Sequence, residues 1–367
     1  MVDERAYWVW LSTVPGVGAR RFLKLVEAFG SPKAVYDSAK EETGLLKNLA
    51  GEKAADNIVK SINSALLDKA CSTLENPYVR IITLLCPEYP DMLKNIYDPP
   101  PVLYAGGRRL DLARGAIAVV GSRRSSDYGR QAAERLSCRL AEAGLAIISG
   151  LARGIDTHAH KGALTCDNGY TAAVLGCGID IVYPPENRRL YERIMERGTL
   201  LSEYPLGTLP SAGNFPARNR IISGMSQGTL VVEAGLKSGA LITVDYALEQ
   251  GRDVYALPGN ISSPFSEGTN KLLKEGAKMI TSADDILEDF PLLGEKPGRD
   301  IKKTNIELDF FQNQVYNALE EGPRGFEELI CITGFDPGCL NAVLTVLEIK
   351  GIIKQNPGKI FTIQWKG

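Results

Sequence analysis

The stretch Asn214-Phe215-Pro216-Ala217-Arg218-Asn219-Arg220 sets one aromatic ring just ahead of two guanidinium groups. Such a ring can stack on a nucleobase while arginines hold the sugar–phosphate backbone, which grips a single strand without reading its sequence. The same residues also fit a core ring beneath surface arginines. A second candidate is Gly121-Ser122-Arg123-Arg124, just before a helix expected near Asp127. Glycine lets backbones approach closely, a helix start offers free N–H groups and partial positive charge, and arginine forks onto phosphate oxygens. The spacing is not Gly-x-Gly-x-x-Gly, which argues against a dinucleotide. Ser149-Gly150-Leu151-Ala152-Arg153 repeats the theme, and Ser238-Gly239 opens a further helix.

Other residue types are sparser. His158 and His160, the only histidines, could ligate a metal or pack on the helix that Asp156 caps. Cys177 would need a neighbouring base to act as a nucleophile. Glu233 could serve as a general acid or base. The seven cysteines are odd in number and form no Cys-x-x-Cys, a pattern of reduced thiols and a cytoplasmic location. No apolar run approaches the roughly 20 residues of a membrane span, and the first residues do not read as a signal peptide. The formal net charge is −2, so any nucleic-acid site must be a local positive patch.

These residues need a frame. Apolar, β-branched runs at 116–120, 145–149, 171–175, 199–203, 229–233 and 253–257 alternate with amphipathic stretches such as 128–143 and 242–250. Strands that are apolar throughout belong to a parallel sheet covered on both faces. The expectation is an α/β fold with a Rossmann-like, doubly wound, mostly parallel sheet. The candidate residues then gather at the carboxyl ends of its strands. Residues 1–76 read as a helical domain of helix-hairpin-helix (SAM-like) type, with Pro15-Gly16-Val17-Gly18 as the hairpin. Residues 77–293 form the extended Rossmann-like domain, 294–304 a polar linker, and 305–367 three helices and a hairpin, a winged helix. The third of those helices has no basic residue before Lys350, which argues against a reader of the major groove.

Seven segments carry a resemblance: Gly121-Ser122-Arg123, SGLARGIDTHAH (149–160), VLGCGIDIVYPPEN (174–187), LLSEYPLG (200–207), NFPARNRII (214–222), VVEAGLKSGALIT (231–243) and ALPGN (256–260). In this order and over most of residues 116–280, the chain resembles the bacterial DNA-processing protein A family (DprA, also called Smf). The resemblance implies a single-stranded DNA-binding protein of natural transformation. Such a protein protects incoming strands, dimerises through its Rossmann-like domain and loads the RecA recombinase. It implies no enzyme activity, cofactor or metal. The DNA-binding candidates are Gly121, Ser122, Arg123, Arg124, Ser149, Gly150, Arg153, Asn214, Phe215, Arg218, Asn219, Arg220, Ser238 and Gly239. Two rivals stand beside it. One is a nucleotide-processing enzyme of the lysine-decarboxylase-like Rossmann group, loosely echoed in Gly228, Thr229 and Glu233 but without its preceding Pro-Gly-Gly. The other is a winged-helix DNA-binding regulator.

Overall fold

A computed structural model describes residues 2–62, 65–290, 310–320, 322–350, 352–356 and 358–363. The expected linker, 294–304, lies outside the described residues. The chain divides into two compact units, Met1–Gly294 and Glu295–Gly367.

The first unit opens with helices α1 (Glu4–Thr13), α2 (Ala19–Phe29), α3 (Pro32–Ser38), α4 (Thr43–Ala50), α5 (Glu52–Ser61) and α6 (Ala65–Glu75). Between α1 and α2 the chain reverses at Gly16, whose φ of 88° suits glycine. Trp10, Leu11, Phe22, Leu25 and Ile58 are buried here and share one core with Val102, Tyr104 and Leu200. The helical segment is therefore packed against the sheet.

The sheet has nine strands: β1 (Arg80–Thr83), β2 (Val102–Gly107), β3 (Ala116–Val120), β4 (Ala146–Ser149), β5 (Thr171–Leu175), β6 (Thr199–Ser202), β7 (Gly228–Val231), β8 (Asp253–Ala256) and β9 (Lys278–Met279). Their order is β1-β2-β6-β5-β4-β3-β7-β8-β9. From β6 to β9 all neighbours are parallel, and β2 and β1 add an antiparallel edge. The six expected strands are all present, displaced by at most two residues at an end.

The helices that cover this sheet are α7 (Asp91–Lys94), α8 (Asp127–Glu142), α9 (Ile155–Ala163), α10 (Arg188–Arg197), α11 (Asn214–Gly224), α12 (Ala240–Glu249), α13 (Glu267–Lys274) and α14 (Asp284–Leu287). Every residue of β3 to β7 is buried because both faces are covered. Ile117, Val119, Ile147 and Leu230 pack with Ala133 and Leu136 of α8 and Ala159 of α9. Ala118, Val120, Ile148 and Val231 face the other way, onto Ile221 of α11 and Val244 of α12. The chain winds outward from β3 through β6 and then returns to lay β7 on the other side of β3. Open α/β sheets bind ligands at such a reversal, outside the carboxyl ends of the strands.

The second unit holds α15 (Phe310–Glu320), β10 (Arg324–Gly325), α16 (Phe326–Thr333), α17 (Pro337–Ile349), β11 (Ile353–Asn356) and β12 (Ile360–Ile363). Leu329, Leu340, Leu344, Leu347 and Phe361 form its core, and the sheet order is β10-β12-β11, as in a winged helix. Asp336 caps α17 by accepting from the amides of Gly338 and Cys339. Among the described residues, no single helix is long and apolar enough to cross a membrane.

Candidate nucleic-acid interface

A cleft of about 610 Å³ opens at the reversal between β3 and β7. One wall is Gly121 to Arg124, directly after β3. A second is Phe215, Pro216, Arg218 and Asn219 in the first turns of α11. A third is Lys237, Ser238 and Gly239, leading into α12, with Phe265 at the rim. Arg123, Arg124 and Lys237 are exposed. Beside the cleft is a shallow hollow lined by Arg123, Gly150, Arg153, Tyr183 and Phe215. The structure thus gathers residues from several strand ends on one edge of the sheet.

The helix ends at this edge are not equivalent. At α8, Ser126 accepts from the amide of Gly129 and gives its own amide and hydroxyl to the Glu233 carboxylate, at 2.9 and 2.5 Å. The amide of Ser122 donates to the Glu233 carbonyl oxygen at 2.7 Å. The expectation that this helix start and the Ser122 amide cradle a phosphate is therefore corrected, because a carboxylate and a carbonyl already take those donors. Gly121 is needed for packing: a Cβ there would lie 2.5 Å from Ile155 Cγ1. At α9, Asp156 accepts from the amides of Gly150 and Ala152 at 3.1 and 3.4 Å. Burial raises the Asp156 carboxyl above the usual range, and the charge of Arg218 opposes it. Only α12 differs. It begins after Gly239 with no acidic residue in its first turn, and Ser238 Oγ accepts from the Ala240 amide. With Lys237 beside it, this end suits an anion.

Phe215 is half-buried, and its ring centre lies 5.3 Å from that of Tyr183. Gly176 makes room for it, since a Cβ there would come within 2.8 Å of the ring. The Arg123 guanidinium carbon sits 5.4 Å from the Phe215 ring centre, within cation–π range. Ring and charge therefore form one unit at the mouth of the cleft.

The arginines of α11 behave differently from expectation. Arg218 is 3 % exposed. It donates to the carbonyls of Gly150 and Val174 and to Asn219 Oδ1, clamping the ends of β4 and β5. Burial pushes its pKa down, and Asp156 opposes the shift. It supplies positive charge to the cleft floor, but its donors are already engaged. Arg220 lies outside both hollows. It is 5 % exposed and forks onto Glu203 at 2.6 and 2.8 Å, with Asp98 3.0 Å away. Burial lowers its pKa, but the bonds to Glu203 and the nearby charges more than offset this. The expectation that Arg220 holds DNA is corrected: it is a buried structural ion pair. Ser149 is wholly buried, with its hydroxyl on the Val119 carbonyl, and Asn214 donates to the Gly176 carbonyl; neither lines the cleft. Arg153 is paired with Glu186 at 2.8 Å, and Asn219 reaches the Gly239 carbonyl across the cleft at 3.4 Å.

Lys237, Tyr183 and Phe265 were not among the sequence candidates. A lysine just before Ser238-Gly239 was a usable signal for the first. Nothing local marks the two rings, which come from segments distant in the chain.

The remaining chemical candidates are occupied. His160 Nδ1 pairs with Thr171 Oγ1 at 2.7 Å, and Nε2 accepts from the Leu151 amide at 3.3 Å. Burial, helped by Arg218, holds its pKa down to about 3. His158 instead meets Glu134 at 2.7 Å, so the two imidazoles face different partners. Burial pushes the Cys177 thiol up to about 11, and its sulfur donates to the Ile181 carbonyl. Glu233 holds the start of α8.

A cationic, ring-lined cleft at the reversal of a doubly wound sheet defines an open α/β protein built to bind an anionic ligand. Sequence comparison carries this further. The family sequence model "DNA recombination-mediator protein A" matches residues 80–291, and "DprA winged helix domain" matches 304–359. Protein Smf of Synechocystis sp. is 34% identical over 392 residues, covering 97% of this chain and 98% of the relative. The X-ray structure of DNA processing protein A from Streptococcus pneumoniae superposes with a TM-score of 0.68 at 36% identity, over 78% of this chain and 98% of that one. DNA processing protein A from Helicobacter pylori, a structure described for its single-stranded DNA binding mode, gives a TM-score of 0.52 at 30% identity, over 58% and 97%. The chain belongs to the DprA/Smf family of recombination mediators.

Proposed function

We propose that this chain binds single-stranded DNA in the β3–β7 cleft as a non-enzymatic mediator of natural transformation. The Arg123 guanidinium over the Phe215 ring, at the mouth of a cleft that opens onto the α12 start, carries the reading. A base extruded from a single strand meets Phe215 and Tyr183. The adjoining phosphates meet Arg123, Arg124, Lys237 and the helix start at Ser238 and Gly239. Asn219 and the Gly121–Ser122 backbone shape the wall, and Arg218 keeps the floor positive. Gly150 and Arg153 border the small adjoining hollow, at the edge of the strand's path.

Support also comes from family membership and from the single-stranded DNA binding mode for which the H. pylori relative is described. On this reading the protein works in the cytoplasm, dimerises through the Rossmann-like domain and passes its strand to RecA. The helical segment 1–76, which shares a core with the sheet, and the winged helix 305–367, which belongs to a second unit, act as accessories to this cleft. The rival enzyme would need Glu233 free to move a proton, whereas here it is hydrogen-bonded to Ser126 and 2 % exposed.

The test is direct. Labelled oligothymidylate should bind far more tightly than a blunt hairpin duplex of equal length, because stacking on Phe215 requires an unpaired base. Equal affinity for the two would overturn the proposal.

A further inference from the structure

Two thiols and a carboxylate converge at the far end of α8 from the cleft. Cys138 and Glu142 lie one turn apart on α8, so they project from the same face. Cys166 comes from the turn after α9. The two Sγ atoms are 3.2 Å apart, and Cys138 Sγ is 3.5 Å from Glu142 Oε1. All three potential ligand atoms lie within 4.8 Å of one another, a property no other His, Cys, Asp or Glu trio shares among the described residues.

The surroundings hold this arrangement in place. Arg139 binds the other carboxylate oxygen, Oε2, at 2.8 Å and leaves Oε1 toward the sulfur. Arg197 donates to the carbonyls of Cys166 and Asp167 at 2.8 and 3.0 Å, fixing the turn that carries the second thiol. Both cysteines are partly exposed and Glu142 is exposed, so an ion can reach them.

We propose that Cys138, Cys166 and Glu142 bind one thiophilic divalent cation of the Zn²⁺ class, clamping the end of α8 to the turn after α9. Tetrahedral coordination with metal–sulfur bonds of about 2.3 Å separates two sulfurs by roughly 3.8 Å, and a sulfur from a carboxylate oxygen by roughly 3.6 Å. The sulfur–oxygen distance already fits, and the sulfurs need to part by about half an ångström, a small side-chain rotation. As the two metal–sulfur bonds form, both thiol protons pass to solvent, and water fills the fourth position. Thiolate ligands select Zn²⁺ or Cd²⁺ over Mg²⁺ and Ca²⁺.

The probe is Cd²⁺, titrated into the fully reduced intact chain and followed by thiolate-to-metal charge-transfer absorption and by Tm. One equivalent should bind, produce the band and raise Tm, and Mg²⁺ should do neither. Co²⁺ should give the visible bands of a tetrahedral sulfur-containing site. Cys138→Ser and Cys166→Ser should each abolish the band at one equivalent, and Glu142→Gln should weaken binding about tenfold. Cys331→Ser, at an exposed thiol elsewhere, is the control. Glu142 is exposed, so Glu142→Gln keeps the test open should a serine variant not fold. A full band in either serine variant overturns the site. So does the absence of Cd²⁺ binding in a reduced chain whose two thiols disappear together in air, an outcome that assigns the pair to a disulfide.

Discussion

The contact between Arg123 and Phe215 makes a quantitative prediction that the two residues taken separately do not. Phe215→Ala removes a stacking surface and should cost about 1–3 kcal/mol of single-strand affinity, leaving the salt slope nearly unchanged. Arg123→Ala removes one phosphate contact, so the slope of log K against log salt should fall by about 0.7. Between 1 M and 0.15 M salt that slope is worth about 0.6 of a decade, or about 0.8 kcal/mol. Were ring and charge independent, the double variant would lose the sum. With the guanidinium 5.4 Å from the ring centre, the ring helps to position the charge. Once Phe215 is gone, removing Arg123 should cost less. The double-mutant cycle should then show a sub-additive coupling of about 0.5–1 kcal/mol, the low end of the range for residues in contact. Fluorescence anisotropy of a labelled oligothymidylate, at four salt concentrations with all four proteins, measures both quantities. Strict additivity to within about 0.3 kcal/mol would refute the coupled grip. A Phe215→Ala protein that melts early yet binds normally per folded molecule would refute the stacking role itself.

Three further outcomes follow from the same geometry. Arg220→Ala strands Glu203 and Asp98 and should destabilise the fold by about 3 kcal/mol in urea titrations, with affinity per folded molecule unchanged; weakened binding in a protein of normal stability would return Arg220 to the DNA site. Lys237→Ala should lower the salt slope by about 0.7 with no change in Tm, and an unchanged slope would remove the α12 start from the phosphate path. The buried, neutral His160 has a folded pKa near about 3, below an unfolded value of about 6.5. Its contribution to stability is complete above the unfolded value and is lost as pH falls toward the folded one. From pH 7.0 to 5.5 this proton alone should remove about 1.2 kcal/mol, and a His160→Asn protein should lack that pH dependence; a wild-type stability flat across the window would contradict the neutral assignment.

Much of the frame was legible because burial on both faces leaves a strong trace. The runs at 116–120 and 171–175 coincide with β3 and β5, since a central parallel strand has no solvent face to interrupt its apolar pattern. Strand β2 was not legible. Val102–Gly107 follows a run of prolines and ends in two glycines, and only pairing with β6 and β1 makes it a strand. The site divides in the same way. Motif position located Arg123, Phe215, Ser238 and Gly239, all of which line the cleft. It did not separate Arg218 and Arg220 from a DNA-facing role, because the partners that engage them come from β4, β5, Asp98 and Glu203. Two residues apart on one helix, the arginines look alike in sequence and end in different surroundings.

The distribution of acids at the sheet edge accounts for the proposed choice of a single-strand groove over a nucleotide-cofactor pocket. In a dinucleotide-binding sheet the pyrophosphate rests on the first helix start after the first strand of the winding. Here that strand is β3 and that helix is α8, and its start is taken by the Glu233 carboxylate. Phosphate there would face a buried negative charge about 3 Å from the donors it needs, a repulsion worth several kcal/mol at protein-interior dielectric. Asp156, in the first turn of α9, likewise takes the loop amides of Gly150 and Ala152 after β4. The positive potential is thereby displaced outward, to Arg123, Arg124 and Lys237 and to the start of α12. These groups border an open cleft instead of enclosing a ligand. A chain of phosphates can run past such groups while single bases turn inward, and a compact diphosphate would find no closed cradle.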